Sequence, residues 1–260
     1  TTQQQKAEKK DMKVISFQDT LCALWMNTQE VSFSDRQALQ NALNEETIQQ
    51  SIEKYHLTAA KGVITPEVKM DGQSYRTKEN EVKCFAKSIS ILKAKTIAKS
   101  MGEYTLLCSE KESMSNIAQA MIQSWQKQLD AYLKLEVVSE TELEERVQAG
   151  EYDLALYMQM PSGETVENAL GDFLAGNEKN ISLLNDRQFA NLFQKAQQTE
   201  KRTDWEKAEQ YLQKTCCCIP IAYVSRVFAL GPGVDGIVIR PFNGGSGKAI
   251  YDFRKATREE

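Results

Sequence analysis

Three consecutive cysteines, Cys216 to Cys218, are the residues of this sequence that most directly suggest chemistry. A cysteine attacks a substrate as a thiolate, and it needs a nearby base or positive charge to become one. The only histidine, His56, is far away in the sequence, so a cysteine–histidine pair would depend on an unknown contact in the fold. Free cysteines also pack as small apolar side chains. We therefore expect the three cysteines to be buried where a strand begins. A thiol-dependent enzyme and a redox or crosslinking role are the alternatives.

Two further patterns bear on ligand chemistry, and both are incomplete. A zinc site takes pairs of cysteines or histidines that are spaced to wrap an ion. The three adjacent cysteines have no second pair. The segment from Gly244 to Lys248 partly resembles a phosphate-binding loop, but Ala249 stands where that motif has Ser or Thr. We therefore expect neither a metal nor a cofactor.

Charged side chains form runs rather than opposed pairs. Five lysines at helical spacing fall on one side of a helix expected to begin near Glu79: Lys83, Lys87, Lys93, Lys95 and Lys99. Such a face can bind nucleic acid or an anionic membrane, but a net charge of -4 and a pI near 5.4 favour a solvated surface. The carboxylates from Glu140 to Glu145 share one helical run, whereas acid–base catalysis uses carboxylates on opposed elements. No nucleic-acid partner and no catalytic residue is expected.

The composition is that of a folded domain. A chain of 260 residues with 41% hydrophobic and 26% charged residues suits one large domain or two small ones. No run approaches the roughly 18 apolar residues that a membrane span requires. A self-contained integral membrane protein is therefore not expected, whereas the six cysteines do not identify the compartment.

Strands and helices alternate along the chain. The strand-like stretch Val14–Asn27 is interrupted at Gln18-Asp19, and a helix capped by Asp35 is expected to run to about Tyr55. Central strands are expected at 104–108, 133–138 and 152–158, further helices at 113–132, 139–149, 164–174, 186–198 and 203–214, and final strands at 219–224 and 234–239. This βαβ-type order predicts an α/β fold in which helices flank a parallel or mixed sheet.

Several segments, taken in order, resemble the extracellular solute-binding proteins of peptide and nickel ABC transporters. Glu151–Ala155 (EYDLA) is similar to a "YDIA" strand of that family, and Trp25–Thr28 with the following Phe33 to Leu39 is similar to its "FN(T)…VRQAL" region. The C-terminal matches are the most specific: Ala208–Leu212 (AEQYL), Cys218–Tyr223 (CIPIAY), Val234–Ile237 (VDGI) and Asp252–Arg254 (DFR).

The resemblance implies one lobe of a two-lobed, periplasmic-binding-protein-like (type II) fold. The chain would correspond to the C-terminal half of a family member, without its N-terminal lobe. Residues 1–13 would be a flexible lead-in, residues 14–240 the substrate-binding lobe with its hinge strands, and residues 241–260 a return toward the other lobe. Strands near Leu21–Asn27 and Ile219–Val224 would cross toward that lobe.

The resemblance also implies binding rather than catalysis. Two lobes would close by a hinge motion over a peptide or similar small solute, and the closed form would deliver it to a membrane permease. The protein would be a monomer outside the cell or in the periplasm, anchored through a lipidated N-terminus that this chain lacks. A receptor for peptide signals is the alternative. Because one lobe supplies only half of the contacts, we expect weak or undetectable peptide binding by this chain alone.

The expected ligand wall is the end of the Tyr152 strand and the loop that follows it. Tyr157, Gln159, Met160 and Ser162 combine apolar area with a few polar groups, as ligand sites usually do. Trp25 and Asn27 would contact the ligand from the hinge side. The family often carries an aspartate in this loop that pairs with a peptide's amino terminus, but here residues 158–163 contain no acid.

Overall fold

The structure, a computed structural model, describes residues 12–231, 234–235, 239–242 and 257–258. Its strands are β1 (Lys13–Met26), β2 (Thr58–Ala59), β3 (Lys69–Met70), β4 (Gln73–Ser74), β5 (Thr105–Ser109), β6 (Lys134–Val138), β7 (Leu154–Gln159), β8 (Cys218–Leu230), β9 (Val234–Asp235) and β10 (Thr257–Arg258). Its helices are α1 (Phe33–Ala42), α2 (Glu45–Lys54), α3 (Ile91–Ala98), α4 (Glu112–Leu129), α5 (Glu140–Ala149), α6 (Val166–Gly171), α7 (Arg187–Thr199) and α8 (Arg202–Lys214), with a 3-10 turn at Lys78–Asn80.

A six-stranded mixed sheet in the order β2-β8-β1-β7-β5-β6 organises the chain. β5 pairs in parallel with β6 and β7, whereas β1 is antiparallel to both of its neighbours, β7 and β8. The predicted mixed sheet with flanking helices is therefore confirmed. Two small pairs, β3 with β4 and β9 with β10, lie outside this sheet.

Two apolar cores cover the two faces of the sheet. α4 buries Ile117 and Met121 in the core that contains Leu106 of β5. α5 buries Leu143 in the other core, with Leu107 of the same strand. Successive residues of a strand point to opposite faces, so the crossover helices before and after β6 lie on opposite sides of the sheet.

Local capping explains why α5 begins and ends where the sequence predicts. The Ser139 hydroxyl accepts a hydrogen bond from the backbone N–H of Glu142 at 3.2 Å, which satisfies a free donor of the first turn. At the other end Gly150 has φ 74°, a left-handed conformation that glycine adopts without a Cβ clash. This helix leads directly into β7.

Three helix predictions are wrong in their boundaries or caps. The single helix from Asp35 to Tyr55 is two helices, because Ser32 caps α1 and Asn44 caps α2 through the backbone N–H of Thr47. The helix expected from Glu79 begins only at Ile91, so the five lysines do not share one helical face. The helix predicted at 203–214 begins one residue earlier, at Arg202, with Lys201 as its N-cap position.

β1 and β8 are longer than the rest of the sheet. β7 pairs with β1 only from Leu21 to Met26. Among the described residues, Lys13–Phe17 pairs only with Arg226–Leu230 of β8. The predicted interruption at Gln18-Asp19 is an irregularity of this pairing between Phe17 and Thr20. The segments expected to cross toward a second lobe, Leu21–Asn27 and Ile219–Val224, therefore lie mostly within the sheet. The two-stranded ribbon of Lys13–Phe17 and Arg226–Leu230 instead extends past the sheet at the amino-terminal end of β1.

Some sequence predictions fall outside the described residues. They include residues 1–11, the glycine-rich segment from Gly244 to Lys248 and the Asp252–Arg254 motif. Among the helices that the structure does describe, none combines the length and apolar character needed to cross a membrane.

Candidate functional site

A cavity of about 360 Å³ opens at the carboxyl ends of β5 and β7. Its lining residues are Thr20, Ser109, Met114, Glu140, Leu143, Glu144, Gln148, Leu156, Tyr157, Met158, Gln159, Met160, Lys179 and Arg226. Ser109 ends β5 and Gln159 ends β7. Ligands of open α/β sheets bind outside the carboxyl ends of strands whose crossovers diverge to opposite faces. The cavity lies at this position.

The walls of the cavity combine apolar area with polar groups. Methionine side chains contribute from α4, from β7 and from the loop after β7: Met114, Met158 and Met160. Methionine is unbranched and polarizable, so it adapts to ligand groups of different shape. Polar and charged side chains complete the lining. A cavity of this composition suits a small molecule or a segment of a peptide.

Tyr157 lies half-buried in the wall with its phenol in the neutral form at ordinary pH. Burial is the main cause that raises the pKa of Tyr157, and the charge of Glu144 raises it further, whereas a hydrogen bond with Gln148 lowers it. A neutral phenol can both donate and accept a hydrogen bond. Tyr157 can therefore contact a ligand's backbone as well as its apolar groups.

Gln159 connects the end of β7 to the opposite wall. Its amide Nε2 donates a hydrogen bond of 2.7 Å to the backbone oxygen of Lys179. Its Oε1 is buried and accepts no hydrogen bond from the described residues. An unpaired buried acceptor is costly, and an N–H donor from a ligand would satisfy it.

Two of the four charges around the cavity are compensated within the protein. Arg226 forms a two-pronged ion pair with Asp19, whose side chain is fully buried. Glu140 forms an ion pair with Lys111. By contrast, Glu144 makes no ion pair with any other residue in the part of the chain that the structure describes. The Lys179 charge acts on the buried Asp172 carboxyl, whose pKa it lowers in part.

The six residues predicted to bind a ligand divide into two groups. Tyr157, Gln159 and Met160 line the cavity. Ser162 lies outside the lining, and its backbone N–H and hydroxyl both donate to the Asp172 carboxylate. Ligand contact stays a prediction for the whole set.

Trp25 and Asn27 lie toward the opposite end of β1, where Trp25 pairs with Ala155. The Trp25 indole N–H donates to the backbone oxygen of Tyr157 at 3.2 Å, and the ring stacks on Phe173 at 5.6 Å. The Asn27 amide donates to the backbone oxygens of Gly150 and Tyr152 at 3.1 and 3.0 Å. Both side chains are thus bonded within the protein and do not line the cavity.

Sequence reasoning missed several residues of the cavity, above all Arg226, Lys179 and Glu144. Arg226 reaches the site because β8 runs antiparallel to β1, and Lys179 reaches it through a loop that Gln159 holds. Neither approach follows from local spacing. Glu144 lies on a helix whose start was predicted, so its proximity to β7 could have been read from the βαβ order.

The cysteine triplet is not arranged for catalysis. All six cysteines are free and buried. Burial raises the pKa of Cys216 to about 12, although the guanidinium of Arg36 lowers it in part. Burial also raises the pKa of Cys217 and Cys218. A reactive cysteine instead needs a lowered pKa and access to solvent. In the described residues there is no group of three or more His, Cys, Asp or Glu side chains placed to hold a metal ion.

Comparison with known proteins relates this chain to one family. The family model described as "Bacterial extracellular solute-binding proteins, family 5 Middle" matches residues 1–180. No curated protein matches the sequence.

Solved structures show the same fold at low sequence identity. The substrate-binding domain of an oligopeptide ABC transporter from Bacillus anthracis str. Ames is similar at a TM-score of 0.74 and 14% identity, covering 99% of this chain and 53% of its own. OppA of Listeria monocytogenes bound to peptide is similar at a TM-score of 0.71 and 16% identity. The match covers 99% of this chain and 52% of that one. The pheromone receptor PrgZ is similar at a TM-score of 0.72 and 17% identity. The match covers 98% of this chain and 52% of that one. The chain spans about half the length of these structures, which confirms the predicted fold as one lobe of a two-lobed binding protein.

Proposed function

Since the chain belongs to the bacterial extracellular solute-binding proteins of family 5, we propose that it binds peptides, or similar small solutes, without converting them. The observation that carries this proposal is the cavity at the carboxyl ends of β5 and β7. Three residues chosen from sequence as ligand contacts, Tyr157, Gln159 and Met160, meet there. The mixture of adaptable apolar groups with few polar ones suits a peptide, whose backbone carries donors and acceptors whatever its sequence.

The cavity would form one wall of a cleft that a second lobe closes. Residues 14–240 would be the binding lobe, and residues 241–260 would return toward its partner. The ribbon formed by Lys13–Thr20 with Val224–Leu230 would act as the hinge, because among the described strands it alone extends past the sheet. Closure would be driven by the ligand's preference for the closed form.

In this proposal the closed protein, a monomer, delivers its cargo to a membrane permease. It would work outside the cell or in the periplasm, held at the membrane through a lipidated N-terminus. The likeness to a pheromone receptor favours a second candidate, a receptor that passes on a peptide signal. Uptake of a labelled peptide by cells that carry or lack the gene separates the two, because only delivery requires uptake.

Methionine-methyl NMR tests binding even when it is weak. The chain has eight methionines, three of which line the cavity: Met114, Met158 and Met160. Met26 and Met121 are fully buried and outside the lining, so they serve as internal controls. Of the two outcomes expected for one lobe, weak binding or none that can be detected, the cavity favours weak binding. A short peptide at millimolar concentration should therefore shift the cavity methyl signals and leave the controls in place. No shift at millimolar peptide, or shifts spread evenly over all methyls, would overturn the proposal for this chain.

A further inference from the structure

Three sulfur-containing side chains from different elements adjoin one another beside the cavity. The thiol of Cys22, on β1, donates to the thioether sulfur of Met114, on α4, at 3.8 Å. Met158 lies directly opposite Cys22 in the antiparallel pairing of β1 with β7. Opposite residues of such a pair point to the same face, with Cβ atoms about 4.5–5.5 Å apart. Cys22 and Met114 belong to one apolar core, and Met158 packs against it.

The cavity gives small solutes access to these sulfurs. Met114 and Met158 line the cavity, whereas Cys22 does not and is fully buried. An ion that enters the cavity therefore meets the two thioethers first and then the thiol. Peptide binding as proposed above gives this thiol no role.

The distance between the two nearest sulfurs fits two ligands of one metal ion. Metal–thiolate bonds are about 2.3 Å long, so two sulfurs at a tetrahedral angle on one ion lie about 3.8 Å apart. The sulfurs of Cys22 and Met114 have this separation. Thiolate and thioether ligands are soft, and they select Cu(I) among the first-row metal ions.

The charge of the three ligands favours a monovalent ion. Burial raises the pKa of Cys22 to about 12, so without an ion the thiol is neutral. One thiolate and two neutral thioethers around Cu(I) form a neutral unit, whereas a divalent ion would leave a net positive charge in the apolar core. Binding breaks the S–H bond of Cys22 and forms an S–Cu bond. The proton leaves to solvent, and no oxidation state changes.

We propose that a Cu(I) ion binds beside the cavity to the Cys22 thiolate and to the thioethers of Met114 and Met158. The site needs neither a peptide nor a second lobe, so it goes beyond the proposed function. Its two methionine ligands also set it apart from clusters of His, Cys, Asp or Glu, of which the described residues contain none suited to a metal.

A Cu(I) titration of the intact 260-residue chain tests the site. The titration is run without oxygen against a chromogenic Cu(I) chelator, and methionine-methyl NMR is the second readout. We expect one equivalent of Cu(I) to move the methyl signals of Met114 and Met158 and to leave those of Met26 and Met121 in place. Zn(II) should leave all four signals in place, because it is divalent and thioethers are too soft for it.

Three variants assign the ligands. Cys22→Ala removes the only anionic ligand and should weaken Cu(I) binding by more than about a hundredfold, whereas Met114→Leu and Met158→Leu should each weaken it by about tenfold. Exchange of Met for Leu conserves volume, so these two variants test the site even if Cys22→Ala does not fold. Met121→Leu and Cys84→Ala are the matched controls, because both residues are buried and neither lines the cavity. They should keep the affinity of the parent chain.

The outcomes separate this site from peptide binding. If Cu(I) does not bind, or moves other methyl signals instead, the site is refuted whether or not a peptide binds. If Cu(I) binds equally to the parent and to all three variants, the ion sits elsewhere and the assignment is wrong. If Cys22→Ala weakens binding but both Met→Leu variants do not, the thioethers are not ligands and the proposed site is overturned.

Loss of Cu(I) binding in the variants, with parent affinity in both controls, would support the site. It would do so even if no peptide shifted the cavity methyl signals.

Discussion

Asp19 and Arg226 form an ion pair at the point where β1 and β8 extend past the sheet. The Arg226 Nε lies 2.9 and 3.1 Å from the two carboxylate oxygens of Asp19, and a second guanidinium nitrogen also contacts the carboxylate. The same carboxylate accepts the backbone N–H of Phe242 at 3.0 Å. Three passes of the chain therefore meet at one buried charge, beside the cavity that Arg226 lines.

Asp19→Asn should loosen this junction. The neutral amide removes the Asp19 charge from a buried pair with Arg226, and the loss of one partner of a buried pair is strongly destabilising. Since the Arg226 side chain keeps 21% exposure, we expect a loss of about 2–3 kcal/mol, below the fully buried case. Urea unfolding measures this loss, and hydrogen exchange should rise in Lys13–Thr20 and Val224–Leu230.

Asp71→Asn is the control for that change, because Asp71 is exposed in the turn between β3 and β4. It should alter the free energy of unfolding by less than about 0.5 kcal/mol. Equal effects of the two substitutions would show that the Asp19 pair does not hold the strands together.

Glu209→Gln should destabilise the chain at a second buried pair. Glu209 forms an ion pair with Arg76, and their side chains are only 2% and 7% exposed. The substitution leaves Arg76 as a buried charge without a carboxylate, which costs about 3 kcal/mol or more. Glu206→Gln, on the same helix, keeps an oxygen that can accept the 3.4 Å hydrogen bond from the Asn80 amide, so it should have a small effect. Chemical denaturation of both variants decides between a required pair and a dispensable one.

The cysteines should be unreactive in the folded chain. Burial raises the pKa of Cys22 and Cys84 to about 12 and that of Cys108 to about 11, so few thiolates exist near neutral pH. A thiol reagent at pH 7 should modify none of the six quickly and all six after denaturation. Lys127→Cys supplies an exposed thiol as a positive control for rapid labelling. A fast native phase without that substitution would revive the thiol-enzyme alternative.

Local signals predicted the elements that form the cavity floor. β5, β6, β7 and α5 were placed within about two residues, because alternation, the Ser139 cap and Gly150 are all properties of short segments. The family resemblance then placed the ligand wall at the end of β7 and in the loop that follows it, where Tyr157, Gln159 and Met160 lie. These residues lie next to one another in sequence as well as in space.

Long-range contacts decided the parts that sequence reasoning missed. The segment after Glu79 is held in an irregular form by α1, since Gln40 donates to the Ala86 backbone oxygen and Asn41 accepts the Ile89 N–H. Arg226 and Lys179 reach the cavity from distant stretches of chain. Helical periodicity cannot reveal a competing tertiary hydrogen bond, and spacing cannot reveal which charge already has a partner.

Asp172 should make stability depend on pH. Burial raises the pKa of the Asp172 carboxyl above its ordinary value, although hydrogen bonds from Ser162 lower it in part. A carboxyl with a raised pKa binds its proton more tightly in the folded state, so its contribution favours folding in acid and is lost as pH rises through the folded pKa. The free energy of unfolding of the parent minus that of Asp172→Asn should therefore fall as pH rises above about 4, the ordinary pKa of an aspartate. A difference that is flat or rises with pH would contradict this assignment.

Trp25→Phe should mainly reduce stability, whereas Met160→Ala should mainly weaken peptide binding. Trp25 is 2% exposed, stacks on Phe173 and donates to the Tyr157 backbone, so its replacement should cost about 1–3 kcal/mol of unfolding free energy. Met160 is half-buried in the cavity wall, so Met160→Ala should weaken peptide binding with little loss of stability. Urea unfolding and the methyl titration together measure both quantities. A Trp25→Phe variant of normal stability but weakened affinity would instead place the indole at the ligand, as the sequence had predicted.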